Sequence, residues 1–195
     1  MNIVLFGGFL GSGKTTALIH AAKFLAAGHR VAIIENEIGA MGIDDQVIAA
    51  QGLKVTGIFA GCVCCQMTGE LVDTVMEIHR TIGPDWLVIE ATGLADPGSI
   101  AATLQAYCRC LDSLRTIVLV DAERWEELYA VVEPLLVSQV RAADAILLNK
   151  VDLVDAGTTD ALVREITKLN GKAAIHLTSA VVDIPDRLWQ EALGR

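Results

Sequence analysis

Aromatic side chains are scarce in this chain, at 5% of 195 residues. Its core must therefore be packed from Ala, Val, Ile and Leu, the palette of helices layered on a buried sheet. Long apolar runs are also missing. Hydrophobic residues reach 53%, yet no run approaches the ~18 to 20 uninterrupted apolar residues of a membrane span. The largely apolar start lacks a basic leader and runs into glycines and Lys14. No export signal is read there, and a cytoplasmic protein with no membrane partner is expected. Basic charge is in short supply. A formal net charge of −9 argues against a nucleic-acid surface. It leaves room for a polyanionic nucleotide, because a phosphate loop binds with local backbone N–H groups. Histidine is sparse and scattered: His20, His29, His79 and His176 read as surface or internally satisfied residues, not ligands.

Cysteine is the exception to this plainness. The five are Cys62, Cys64, Cys65, Cys108 and Cys110. An odd, clustered set without an export signal does not suit a disulfide framework. Metal binding or redox chemistry fits better.

Strands are predicted over 2–6, 30–34, 54–59, 85–90, 114–120, 145–148 and 173–177. Helices are predicted over 14–26, 67–82, 97 to about 110, 123–142 around Pro134, 159–169 and 186–193. The alternation implies a mostly parallel central sheet between helical layers, with ligands at the carboxyl ends of the strands. With no repeat, linker or low-complexity segment, residues 1–195 are expected to form a single α/β domain of the three-layer P-loop NTPase fold.

Gly8-Phe9-Leu10-Gly11-Ser12-Gly13-Lys14-Thr15 matches G-x-x-x-x-G-K-S/T between a predicted strand and helix. The glycines, Gly11 and Gly13 among them, let the backbone curl around a phosphate with its N–H groups inward, and Ser12 between them is a further nucleotide-binding candidate. Lys14 can reach β- and γ-phosphate oxygens, and Thr15, with Thr16 beside it, opens the positive end of a helix. The Thr15 hydroxyl is suited to Mg²⁺. The competing reading is a glycine turn before a surface helix.

Asn149-Lys150-Val151-Asp152 follows a strand downstream of that loop. The Asp152 carboxylate can accept from the ring N–H and 2-amino group of guanine. Adenine offers neither, and a buried acceptor left unpaired costs about 1 to 3 kcal/mol. Asn149 can bind the other base edge, the Lys150 stem can lie over the ring, and the backbone of Ser179 and Ala180 can close the pocket. A capped turn is the alternative for Asn149 and Asp152, an ordinary loop for Ser179 and Ala180.

Glu90-Ala91-Thr92-Gly93 ends another strand. Glu90 is placed to hold Mg²⁺ through a water, and the Gly93 N–H to sense a γ-phosphate. Glu35, Glu37, Asp44 and Asp45 lie after the second strand, as a nucleotide-responsive or metal-contacting loop or as a solvated acidic one. Asp121 reads as a strand-end turn residue or a further site carboxylate. No base for hydrolysis stands out, and positioning with charge neutralisation carries most phosphoryl-transfer catalysis. Lys14, Thr15 and Glu90 are thus the catalytic candidates.

Cys62-Val63-Cys64-Cys65 holds three thiols in four residues, a set that favours Zn²⁺ and other borderline or soft ions. A tetrahedral site needs one more ligand from Glu37, Cys108, Cys110, water or a second protomer. A redox dithiol and inert buried thiols are the alternatives. Cys108 and Cys110, two apart, diverge on a regular helix and read as packing residues.

Together these motifs resemble the CobW-like metallochaperone GTPases, relatives of the nickel-inserting GTPases. Gly8 to Thr16 is similar to that family's G-F-L-G-x-G-K-T-T, and Glu35 to Gly39 to its E-N-E-F/I-G. Cys62 to Cys65 is similar to its C-x-C-C, Glu90 to Gly93 to its E-x-x-G, and Asn149 to Asp152 to its N-K-x-D. Two departures stand out. Ala40 occupies a position where relatives commonly have glutamate. Relatives also commonly carry a further C-terminal domain, often with histidines, whose client recognition is not carried over.

The resemblance implies GTP/GDP with Mg²⁺ and a transition metal, Zn²⁺ or Co²⁺, for delivery to a client metalloprotein. A homodimer dependent on nucleotide or metal is a further expectation. The metal candidates are Thr15 and Glu90 for Mg²⁺, and Glu37, Asp45, Cys62, Cys64 and Cys65 for the loop and thiol site. A P-loop small-molecule phosphotransferase and a non-catalytic metal buffer or nucleotide-sensing adaptor are the rival expectations.

Overall fold

The computed structural model describes residues 1–35, 55–59, 68–179 and 184–194, with backbone alone for 35, 55–59 and 68. Glu37, Asp44, Asp45, Cys62, Cys64, Cys65 and Ala180 lie outside the described residues.

Seven strands form one sheet in the order β3-β2-β4-β1-β5-β6-β7. They are β1 Asn2–Gly8, β2 Val31–Glu35, β3 Val55–Phe59, β4 Trp86–Glu90, β5 Ser113–Asp121, β6 Ala145–Asn149 and β7 Ala174–Thr178. Every pairing is parallel, so the expected mostly parallel sheet is parallel throughout its described strands. The helices are α1 Lys14–Ala26, α2 Thr68–Thr81, α3 Pro97–Tyr107, α4 Trp125–Arg141, α5 Ala156–Leu169 and α6 Asp186–Ala192. None is long and apolar enough to cross a membrane among the described residues.

The central strands are buried on both faces, so their apolar runs divide by period two. Val4 and Phe6 of β1 pack with Ala17, Leu18 and Ala21 of α1 and with Trp189 of α6. Ile3 and Leu5 face the opposite layer, with Leu71 and Val75 of α2 and Ile100 and Leu104 of α3. Val118 and Val120 of β5 join Ile146 and Leu148 of β6 beneath α4 and α5. These three clusters make the helix–sheet–helix layering of the P-loop fold.

Side-chain caps move several helix ends from their predicted positions. α5 starts at Ala156 instead of 159 because Asp155 accepts from the Thr158 N–H at 2.9 Å. α4 begins at Trp125 instead of 123 because Asp121 Oδ1 holds the N–H groups of Glu123 and Arg124, at 3.2 and 3.3 Å. Within α4, Pro134 lacks an N–H and crowds the preceding turn, and Val132 takes φ −130°, ψ 33°. α3 stops at Tyr107, short of the expected 110, where Cys108 turns to extended backbone and is buried. Cys108 and Cys110 are therefore not on a helix at all.

Asn170, just past α5, fixes the approach to β7. Its amide donates to the carbonyls of Val140 at 2.8 Å and Ala143 at 2.9 Å. Its carbonyl oxygen accepts from the N–H groups of Lys172 and Ala173, each at 3.1 Å. Asn170→Ala strips partners from four backbone groups around a buried residue. The expected loss is about 2 to 3 kcal/mol, or roughly 4 to 12 °C in Tm, measured by calorimetry.

Candidate nucleotide site

The loop between β1 and α1 is shaped by left-handed glycines, Gly11 at φ 78° and Gly13 at φ 96°, a region open to glycine at little cost. Gly13 is also the N-cap of α1, with no side chain capping the helix. A loop that turns N–H groups towards an anion turns carbonyls such as those of Phe9 and Ser12 outward, where they need partners. Phe9 O accepts from Ser12 N and from Lys14 Nζ, both at 3.2 Å. Ser12 O accepts from Asn149 Nδ2 at 2.8 Å. Leu10 O receives Arg124 Nη1 at 3.5 Å. Lys14 is buried, and Thr16 is exposed on the first turn of α1.

Glu90 ends β4 directly across from Phe6 of β1. The Thr15 hydroxyl lies 3.0 Å from each of its carboxylate oxygens, and Glu90 is buried. A hydroxyl and a carboxylate converging beside a phosphate loop are the hard oxygen donors that suit Mg²⁺. Gly93 lies so close to the loop that a Cβ there would sit 2.7 Å from Leu10 N. Only glycine lets the two segments touch. Buried Gln139 of α4 holds this segment from behind, donating to Gly93 O at 3.2 Å and Ala95 O at 2.9 Å.

On the other side of β1, register aligns Asp121 with Asn149 and Asn149 with Thr178. Asn149 is buried. Besides the bond to Ser12 O, its Oδ1 accepts from Thr178 Oγ1 at 3.3 Å. These contacts make it a strap between loops, a role its spacing did not suggest. Lys150 has left-handed backbone, φ 64°, and its Nζ pairs with Asp121 Oδ2 at 2.6 Å. The Asp121 carboxylate thus caps the turn before α4 with one oxygen and holds Lys150 with the other. Asp152 follows on a short 3-10 turn, Val151–Leu153, with its side chain exposed. Ser179 is half-buried just beyond β7.

The family description "CobW/HypB/UreG, nucleotide-binding domain" matches residues 2–177. This chain belongs to the CobW/HypB/UreG family. The zinc chaperone YjiA of Escherichia coli K12 is 35% identical to it over 196 residues, covering 93% of this chain and 59% of its own. The zinc-regulated GTPase metalloprotein activator 1 of Dictyostelium discoideum is 29% identical over 233 residues, covering 96% of this chain and 48% of its own. A Zn(II)-bound triple mutant of the YjiA GTPase has a TM-score of 0.70 and 34% identity, over 100% of this chain and 63% of that one. The chain thus spans about half the length of the curated relatives it matches.

Among the described residues of this family member there is no group of three or more potential metal-ligating side chains. Cys108 and Cys110 play a packing part. Cys108 sits in the core under α2 and α3, and Cys110 Sγ lies 3.5 Å from Met76 Sδ. Arg124 and Gln139 escaped the sequence reading. Gln139 was detectable in principle, as a polar residue on the face of α4 that buries Leu136 and Val140. Arg124 carried no comparable mark.

Burial, with a smaller contribution from Cys110, pushes the Cys108 thiol up to about 11. The neutral thiol is the form the fold favours, and the nucleophilic thiolate appears only as pH rises towards that value. In the native protein Cys108 should therefore resist iodoacetamide from pH 7 to 9. It should react readily once the chain is unfolded at the same pH, as read by peptide mass spectrometry.

Proposed function

We propose that this chain is a GTP-binding and GTP-hydrolysing metallochaperone domain whose nucleotide state controls a cysteine-based transition-metal site. The observation that carries the nucleotide half is the convergence of three motifs on one loop. Thr15 meets Glu90, Gly93 meets Leu10, and Asn149 meets Ser12. The family membership and the names of the relatives, zinc chaperones and a GTPase metalloprotein activator, support the metal half.

In this reading Lys14 and the helix end of α1 hold the β- and γ-phosphates. Thr15 and Glu90 would hold Mg²⁺, which when bound would supply neutralisation of the phosphate charge. Gly93 brings its segment against the phosphate loop, where the γ-phosphate can be sensed. Asp152 reads guanine, supported by Asn149, Lys150, Ser179 and Ala180. Cys62, Cys64 and Cys65, with Glu37 and Asp45 as further candidates, bind the cargo ion, Zn²⁺ or Co²⁺, before its transfer to a client metalloprotein. The whole chain acts as one domain in the cytoplasm, and assembly as a homodimer would follow nucleotide or metal.

The energetics suffice. Swinging a two-state segment from 1:99 to 99:1 takes about 5.5 kcal/mol of differential binding. Apparent binding at a thiolate zinc site can be ~10 kcal/mol or more. A phosphotransferase would have no need of the guanine-reading residues or the thiols.

The test is a Zn²⁺ and Co²⁺ titration of reduced protein with GDP, with a non-hydrolysable GTP analogue and without nucleotide. The affinity is expected to differ at least tenfold between the two nucleotide states and to collapse in Cys64→Ala and Cys65→Ala. Equal affinity in all three conditions, or cysteine variants that bind as tightly as the parent, would refute the coupling.

A further inference from the structure

We infer that Arg124 is a further catalytic residue, a built-in cation that neutralises charge on the phosphoryl group in flight. Leu10 of the phosphate loop is flanked on two sides. Its N and Cα are the atoms against which Gly93 packs, at 2.7 and 3.0 Å from a Cβ built there. Its carbonyl is the atom that Arg124 Nη1 approaches at 3.5 Å. The same guanidinium nitrogen lies 3.4 Å from a Cβ built on Gly11. Arg124 therefore stands over the exposed outer half of the loop, on the residue that also meets the γ-sensing segment.

Two cations occupy neighbouring carbonyls: Lys14 on Phe9 O and Arg124 on Leu10 O. Lys14 is buried, whereas Arg124 is half-exposed. A single bond of 3.5 Å to a neutral oxygen is weak, and a guanidinium has further donors in a fork that matches phosphate oxygens. Among the described residues no carboxylate forms an ion pair with Arg124. Its backbone is nevertheless fixed, because Asp121 Oδ1 accepts from the Arg124 N–H at 3.3 Å and Trp125 beside it is buried. A well-anchored backbone carrying a weakly engaged guanidinium is the arrangement that lets a cation leave a carbonyl for a developing anion.

This role rests on the GTPase reading above. In the step it assists, a water oxygen forms a bond to the γ-phosphorus as the bond from that phosphorus to the β–γ bridging oxygen breaks. The electron pair stays on the GDP oxygen, the water proton passes to solvent or phosphate, and GDP and inorganic phosphate result. Charge spreads over the γ-oxygens and the bridging oxygen during transfer, and Arg124 meets it there.

The test compares wild type, Arg124→Ala and Arg124→Lys in single-turnover GTP hydrolysis. The companion readouts are GDP affinity and capture of GDP with aluminium fluoride, a mimic of the phosphoryl group in transfer. Arg124→Ala is expected to hydrolyse about 10²-fold more slowly or worse and to lose aluminium fluoride capture, with GDP affinity within about twofold of wild type. Arg124→Lys restores part of the rate. Equal rates and equal capture in Arg124→Ala would overturn the role of Arg124 while leaving the GTPase reading intact. A matching loss of GDP affinity would make the residue structural. A wild-type chain that neither hydrolyses GTP nor captures the mimic would overturn both.

Discussion

The phosphate loop cannot hold its shape alone. To point N–H groups at an anion it must aim carbonyls away from it, and an outward carbonyl without a partner in a packed protein is costly. Here the partners come from elsewhere in the chain. The Ser12 carbonyl is held by Asn149, and the Phe9 carbonyl by Lys14 and the Ser12 N–H. Satisfying the loop thus recruits the residues that surround it. The 2.8 Å bond from Asn149 is the most consequential, because it ties the segment proposed to read the base to the loop proposed to hold the phosphates through a buried amide.

The sheet supplies the distances for these contacts. β1 lies between β4 and β5, with β6 and β7 continuing outward. The carboxyl ends of these strands therefore deliver Glu90, Asp121, Asn149 and Thr178 in a row beside the loop. Parallel register places Phe6 opposite Glu90, Asp121 opposite Asn149, and Asn149 opposite Thr178. Asp121 gains its weight from that position. One carboxylate caps the turn into α4, anchoring Arg124, and pairs with Lys150 in its left-handed conformation. The two sides of the proposed site, phosphate and base, thereby share a buried anion as well as a buried amide.

Much of this was legible in the sequence. The phosphate loop, the segment from Glu90 to Gly93 and the segment from Asn149 to Asp152 are local patterns, and each lies at the end of a strand whose apolar run is unmistakable. α1 spans the predicted residues because glycine brackets it at both ends. Partners across the sheet were not legible. Asn149 presents the same four-residue motif whether its amide meets a base or Ser12, and nothing local links Asp121 to Lys150 or Gln139 to Gly93. Those contacts are set by register and crossover, which one-dimensional spacing does not encode. Helix starts moved for a local reason, because Asp121 and Asp155 cap N–H groups two or three residues further on, whereas the end of α3 is set by the burial of Cys108, a tertiary event.

In the function proposed above, a loop held by Asn149 and Lys150 presents Asp152 to guanine. The most direct test is calorimetric titration of GTP, XTP and ATP into the parent chain and Asp152→Asn. Guanine offers Asp152 two donors, whereas xanthine replaces the 2-amino donor with an oxygen acceptor that an asparagine amide can satisfy. The account predicts that the parent prefers GTP over ATP by at least about tenfold, and that Asp152→Asn weakens GTP and strengthens XTP enough to reverse their order. Equal binding of GTP and ATP by the parent, or an unchanged GTP-to-XTP preference in Asp152→Asn, would contradict it.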